Sequence, residues 1–252
     1  MIVRSSMRAW RPGVIHETYY SDRSSAPKGC PVVITVHDMI PELFASEFSW
    51  KDSTSRLKRI AVERAEHIIC VSQSTRRDLI ELFSVPESKI SVVYHGFDRF
   101  ESGVGEGVSE GLKRPYLLYV GYRNGYKNFL GLLQAVSGSS RLKHDFNIIA
   151  FGGGAFTSDE NALISRLGFR RGQVRQVSGG DAVLGTLYEN ARAFVYPSVY
   201  EGFGLPPLEA MAHSCPVVSS RTSSMPEVGG EAGIFFDPAS SAEMAASIER
   251  VV

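Results

Sequence analysis

The chain has 252 residues, 27 Lys and Arg against 27 Asp and Glu, and 43% hydrophobic side chains. That length and apolar content allow a sizeable core in one or two domains. The zero net charge gives no reason to expect nucleic acid, and no basic block points to an anionic membrane surface. No apolar run approaches the ~20 residues of a membrane span, and the first ten residues lack the apolar stretch of a signal peptide. Cys30, Cys70 and Cys215 are odd in number and lack metal-ligand spacing, so they read as reduced thiols of a cytoplasmic protein. Peripheral contact at the inner face of the membrane stays open.

In chain order, short apolar, β-branched runs alternate with segments of helical period. PVVITVH (31–37), HIICVS (67–72) and KISVVYHG (89–96) read as strands, then YLLYVG (116–121), FNIIAFGG (146–153), AFVYPS (193–198), PVVSS (216–220) and GIFF (233–236). Continuous apolar strands are covered on both faces, which means parallel sheet and α/β layering. Between them, four apolar stripes predict helices: Leu57, Ile60, Ala61 and Ala65; Leu79, Ile80 and Phe83, with Ser74 as N-cap; Phe129, Leu130, Leu133 and Val136; and Val183, Leu184, Leu187 and Tyr188.

The stretch FDRFESGVGEGVSEGLKRP (97–115) breaks the pattern, with Gly, Ser and charge and no periodicity, which is a linker composition. A domain boundary is placed there, giving residues 1–110 and 111–252. A βαβ unit needs ~30 residues, so the second part has room for about five strands and residues 1–97 for about three. The first domain therefore reads as incomplete. The last helical pattern, SAEMAASIERVV, runs to the final residue, and parts of a longer protein are expected to be missing at both ends.

The stretch with the most chemistry is YEGFGLPPLEAMA, Tyr200 to Ala212. A strand runs into a glycine turn and then into a helix whose prolines fit its first turn. Backbone N–H groups and the dipole at such a helix start favour an anion or a sugar oxygen. Glu201 stands before the turn and Glu209 inside the helix, so both can flank one ligand. Carboxylates accept from hydroxyls, which suits a sugar or a ribose. In open α/β sheets ligands bind at the carboxyl ends of the strands, where this turn lies.

Glu, seven residues, Glu, around EGFGLPPLEAMA, resembles the retaining glycosyltransferases of family 4. Further segments resemble that family in order: TVHD (35–38), ICVSQSTRRDL (69–79), YHGFD (94–98), YVGYRNGYKNF (119–129) and PVVSSRTSSMPEVGGEAGIFFDP (216–238). The resemblance covers roughly residues 30–250. It implies the α/β GT-B fold, two Rossmann-like doubly wound parallel-sheet domains facing across a cleft. The first would be the acceptor-side domain and the second the nucleotide-sugar-binding domain.

The resemblance also implies roles. Glu201 would contact the donor sugar, and the backbone N–H groups of Phe203, Gly204 and Leu205 would sit by the sugar and diphosphate. Glu209 would bind the ribose. Arg123 and Lys127 would neutralise the donor diphosphate, although the family's arginine follows the glycine directly and here Tyr122 stands between. His37, at a strand end, would contact the sugar near the reacting carbon. Asp38 would cap the next helix, and Ser198 and Tyr200 would line the pocket. FGGG (151–154) would line the nucleotide cleft, and SGGD (178–181), with Asp181 as helix cap, would lie near the base.

The implied reaction moves a hexose from a GDP- or UDP-linked donor to a glycan or lipid-linked hydroxyl, with retention and with no cofactor or metal expected. Surface polysaccharide synthesis, often with mannose donors, is the associated role. MIVRSSMRAWRPGVIHETYY does not resemble the family's first glycine-rich loop, and VIHETYY (14–20) resembles a later segment of the first domain. A non-catalytic nucleotide-sugar-binding module and a sugar-nucleotide epimerase stay open as alternatives.

Overall fold

In the computed structural model, the described residues are 11–49, 51–103, 114–123 and 125–252. Two compact units form: Met1–His95 with Glu201–Phe203, and Gly96–Tyr200 with Gly204–Val252. The expected junction at 110/111 lies outside the described residues.

The first unit is a parallel sheet in the order β1-β2-β3-β4: β1 (Ile15–Glu17), β2 (Val32–Val36), β3 (His67–Cys70) and β4 (Ile90–Val92). Ile34, Val36, Ile68 and Cys70 are fully buried, as continuous apolar strands in a covered sheet require. Among the described residues three helices accompany the sheet: α1 (Ile40–Leu43), α2 (Thr54–Arg64) and α3 (Gln73–Phe83). The space expected for about three strands holds four. The extra one, β1, lies in VIHETYY, too short and too polar to signal itself.

Two local expectations need correction here. The N-cap of α3 is Ser72, not Ser74: Ser72 is extended, with φ −155°, and its hydroxyl accepts from Thr75 N. Ser74 already sits in the helix and is buried. The buried face of α2 carries Lys58 with Ala61 and Val62, where only apolar residues were expected. Lys58 Nζ is 2.6 Å from Glu42 Oε2 and donates to the Asp38 carbonyl at 2.7 Å. A buried ammonium persists only with such partners.

The second unit holds six parallel strands: β5 (Tyr116–Val120), β6 (Asn147–Phe151), β7 (Val174–Val177), β8 (Ala193–Tyr196), β9 (Val217–Ser220) and β10 (Gly233–Phe236). Their spatial order is β10-β9-β8-β5-β6-β7. Counted from β5, that is the doubly wound order 3-2-1-4-5-6 read from the other edge. Alternate strand residues go to opposite cores. Leu117, Tyr119, Ile148, Ala150 and Val195 face one, and Tyr116, Leu118, Ile149, Phe194 and Tyr196 the other.

The first of these cores is closed by α4 (Phe129–Gly138), α5 (Ser140–Asp145), α6 (Ser158–Arg166) and α10 (Ser241–Glu249). The second is closed by α7 (Asp181–Asn190), α8 (Leu205–Ala212) and α9 (Met225–Gly229). A fully buried side chain such as Phe129 contributes about 2–3 kcal/mol relative to exposure. β7 was not expected; its sequence VRQV is half polar because it is an edge strand with only Val174 buried. Nor was α6, although TSDE carries a capping box: Thr157 accepts from Glu160 N, and Glu160 accepts from Thr157 N. At α7 the cap is Gly180, with no side-chain bond, and Asp181 is the first helical residue, not the expected cap.

Candidate functional site

In the six-stranded sheet the strand order reverses between β5 and β8, so the loops leaving their carboxyl ends diverge around the natural ligand crevice of such a sheet. Residues 121–128 follow β5 and residues 197–204 follow β8.

These loops are tied together. Asn128 adopts the left-handed conformation, φ 55°, which asparagine tolerates. Its side-chain amide donates to Pro197 O at 3.1 Å and Pro238 O at 3.0 Å. Val199 N donates to Tyr126 O at 2.7 Å, and Tyr119 Oη donates to the Tyr122 carbonyl. Lys127 follows from this bracing, with Nζ 5.3 Å from the Tyr126 ring centre and 5.9 Å from that of Tyr196.

Arg123 is only 8% exposed. Its Nε donates to Glu160 Oε1 at 2.7 Å, and its other nitrogens donate to the carbonyls of Gly152 at 2.9 Å, Ala155 at 3.0 Å and Gly153 at 3.4 Å. The guanidinium lies 4.8 Å from the centre of the Phe156 ring. FGGG therefore wraps a side chain. Gly152, Gly153 and Gly154 all have positive φ, and a Cβ on Gly153 would meet Arg123 Nη1 at 2.6 Å. Burial pushes the Glu160 carboxyl up, but the Arg123 bond, the Thr157 bonds and the guanidinium charge hold it below its ordinary value.

After β8, Ser198 is buried and its hydroxyl has no hydrogen-bond partner among the described residues. Gly204 has φ +107°, and a Cβ there would lie 2.4 Å from Met225 Cε. α8 starts at Leu205 with Pro206 and Pro207 in its first turn and no side-chain cap. The prolines carry no N–H, so Phe203, Gly204 and Leu205 supply the amides of the turn. Glu209 lies one turn further on, half-buried, accepting from Tyr188 Oη at 3.2 Å. Burial pushes its carboxyl above the ordinary value, and the Tyr188 bond opposes that shift.

Glu201, Gly202 and Phe203 group with the first unit, beside His37 just after β2 and Thr75 in the first turn of α3. Gly202 carbonyl accepts from Thr75 Oγ1 at 3.1 Å, and a Cβ on Gly202 would lie 1.9 Å from the His37 carbonyl. Glu201 is buried. His37 Nε2 is 2.9 Å from Thr18 O, which can only accept, so Nε2 carries the proton. The His37 ring stacks on His95 at 5.8 Å and 10°, and His95 meets Phe203 edge-on at 5.3 Å. Burial and then the neighbouring His37 push the His95 imidazole below its ordinary value. Asp38 Oδ1 accepts from Ile40 N at 2.9 Å at the start of α1, one residue ahead of the cap position.

Of the site residues expected from sequence, His37, Glu201 and Phe203 share the first unit, while Arg123, Lys127, Gly204, Leu205 and Glu209 share the switch-point end of the second. The sequence pattern assigns no role to Asn128, Glu160 or Tyr188: Asn128 lies inside YVGYRNGYKNF, only TSDE points to Glu160, and Tyr188 falls on the apolar stripe of α7.

The fold is of the GT-B class, two parallel-sheet α/β units, here of four and six strands. Residues 107–252 match the family described as Glycosyl transferases group 1, and residues 2–99 match Glycosyltransferase Family 4. The chain belongs to this glycosyltransferase family. It is 34% identical over 220 residues to O-antigen chain mannosyltransferase B of Escherichia coli, covering 82% of this chain and 57% of that one. It is 29% identical over 209 residues to O-antigen chain mannosyltransferase RfbU of Salmonella typhimurium, covering 81% and 56%. The chain thus spans little more than half the length of these relatives. Among solved structures, Anabaena Alr3699/HepE in complex with UDP-glucose superposes with TM-score 0.70 at 21% identity, covering 87% of this chain and 62% of that one. Among the described residues no helix is long and apolar enough to cross a membrane.

Proposed function

We propose that this chain is part of a retaining hexosyltransferase that uses a nucleoside-diphosphate sugar, GDP- or UDP-linked, and a glycan or lipid-linked hydroxyl in surface polysaccharide synthesis. The similarity to O-antigen mannosyltransferases favours mannose as the sugar. The observation that carries the proposal is the braced pair of loops at the β5/β8 switch point, one bearing Lys127 and the other the amide turn before α8 with Glu209 beyond it.

In this assignment the amides of Phe203, Gly204 and Leu205 and the Lys127 ammonium receive the diphosphate. Glu209 accepts from the ribose hydroxyls, Glu201 from the sugar, and His37 lies by the reacting carbon. The anomeric C–O bond breaks, and its electron pair goes to the diphosphate oxygen. The acceptor oxygen attacks from the same face, and its proton passes to the departing phosphate. Lys127 and the amides stabilise the charge that develops on the leaving group. Arg123 was expected beside Lys127 on the diphosphate. Its bonds to Glu160 and three carbonyls support another role, holding the glycine loop in shape.

Calorimetry with GDP and UDP, followed by a transfer assay over a panel of nucleotide sugars with NMR of the product anomer, tests the proposal. Binding with transfer and retained configuration is expected. Binding without turnover identifies a non-catalytic module, a sugar epimer formed without acceptor identifies an epimerase, and absence of binding removes the donor site altogether.

A further inference from the structure

The Tyr188 ring is fully buried on α7, 5.5 Å from Phe194 at 87° and 5.8 Å from His213 at 19°. Phe100 packs on the His213 ring at 4.8 Å. Close packing from two sides leaves the phenol a single orientation. Its hydroxyl donates to Glu209 Oε2 at 3.2 Å, and the Glu209 carboxylate has no other hydrogen-bond partner among the described residues. Burial keeps the phenol protonated throughout the working pH range, so it is a donor at all times.

We infer that Tyr188 is a positioning residue for the candidate site: its fixed hydroxyl holds one oxygen of Glu209 and leaves the other to accept from the vicinal hydroxyls of a ribose. A half-buried glutamate side chain without that bond swings among rotamers, and fixing it afresh at each binding event weakens binding. This inference rests on the assignment of Glu209 to the ribose, and goes beyond it by naming the group that orients the carboxylate.

The groups facing this pair are few. Asp181 and, when protonated, His213 act on Glu209 through charge, Cys215 faces Tyr188, and Glu189 Oε1 lies 3.5 Å from His213 Nδ1. Replacement of the tyrosine by phenylalanine leaves all of these in place and keeps the ring.

The test is Tyr188→Phe in the full chain, with two readouts. The first is titration of the Glu209 carboxyl by carbon-detected NMR without ligand. Its midpoint should rise in the variant, because the lost hydrogen bond stabilises the charged form; an unmoved midpoint overturns the inference. The second is calorimetry with whichever of GDP and UDP the wild type binds more tightly, and with its 2′,3′-dideoxy analogue. The ribonucleotide should bind about tenfold more weakly to the variant, as for a lost bond to a charged group, and the dideoxy analogue should bind equally to both proteins. Equal losses for both nucleotides mean a merely structural tyrosine and overturn the inference. Should Glu209→Gln leave ribonucleotide affinity unchanged while the NMR midpoint still moves, the ribose assignment falls and the Tyr188–Glu209 coupling stands.

Discussion

Arg123 Nε donates to Glu160 Oε1 at 2.7 Å, across 37 residues of sequence, with both side chains largely buried. The same carboxylate closes the capping box of α6 and the same guanidinium fastens the FGGG loop, so one ion pair fixes two structures beside the switch point. Arg123→Ala strands Glu160 and three carbonyls, and a loss of about 3 kcal/mol in urea unfolding at pH 7 is expected. The Glu160 carboxyl is held below its ordinary value in the fold. Its contribution is therefore present above the unfolded value of 4.5 and fades as pH falls through the lower folded value. The difference between wild type and Arg123→Ala should shrink when the unfolding is repeated below about pH 4. An undiminished difference would place the destabilisation elsewhere.

Glu160→Gln also separates two roles for Arg123. If the arginine shapes the glycine loop, nucleotide affinity should fall alongside Arg123→Ala, and the double variant should be no worse than either single one. If Arg123 reaches the diphosphate, freeing it from Glu160 should leave affinity intact or raise it.

Gly202 admits no other residue in this backbone, because a Cβ would lie 1.9 Å from the His37 carbonyl, an atom that cannot rotate away. Gly202→Ala should cost at least about 2 kcal/mol of stability and abolish the proposed transfer. At Gly204 the obstruction is the flexible Met225 Cε, but the φ of +107° strains any other residue. Gly204→Ala should fold, with a loss of about 1–2 kcal/mol and a larger proportional loss of nucleotide affinity.

Asn128 is expected to be more than a helix-start residue. Asn128→Ala removes both bridges, to Pro197 and Pro238. It should cost about 1–3 kcal/mol and lower nucleotide affinity through the loosened Lys127 loop. Hydrogen exchange at Val199 N should quicken, since its bond to Tyr126 O depends on the same bracing. Unchanged exchange would show that the loops hold together without it.

Lys58 offers a test of the first unit alone. Lys58→Met removes the cation from Glu42 and should destabilise by about 3–5 kcal/mol, whereas adding Glu42→Gln should recover much of the loss. A double variant as unstable as the single one would show that the lysine acts through packing.

The strands that carry the candidate site were legible in the sequence because both faces of β5 and β8 are buried, which writes a continuous apolar run. β1 and β7 were not: each is a short edge strand, and half-exposed edges mix polar with apolar residues. Ser72 and Ser74 cannot be told apart as caps by residue type; the extended backbone at Ser72 decides. Lys58 misled because periodicity counts a lysine as solvent-facing, and its partners, Asp38 and Glu42, lie 20 and 16 residues away. Glycines and acids around the turn were readable since their chemistry is local. Partners brought in by folding, Glu160 for Arg123 and Tyr188 for Glu209, leave no mark at any fixed spacing.

The proposed donor site is tested most directly by calorimetric titration of GDP and UDP into the wild type and into Lys127→Ala and Glu209→Ala. At least one of the two nucleotides should bind the wild type, and each variant should lose about tenfold or more in affinity, as expected for a charged partner removed from a phosphate or hydroxyl. Affinities unchanged in both variants would contradict a nucleotide held between the Lys127 loop and the start of α8.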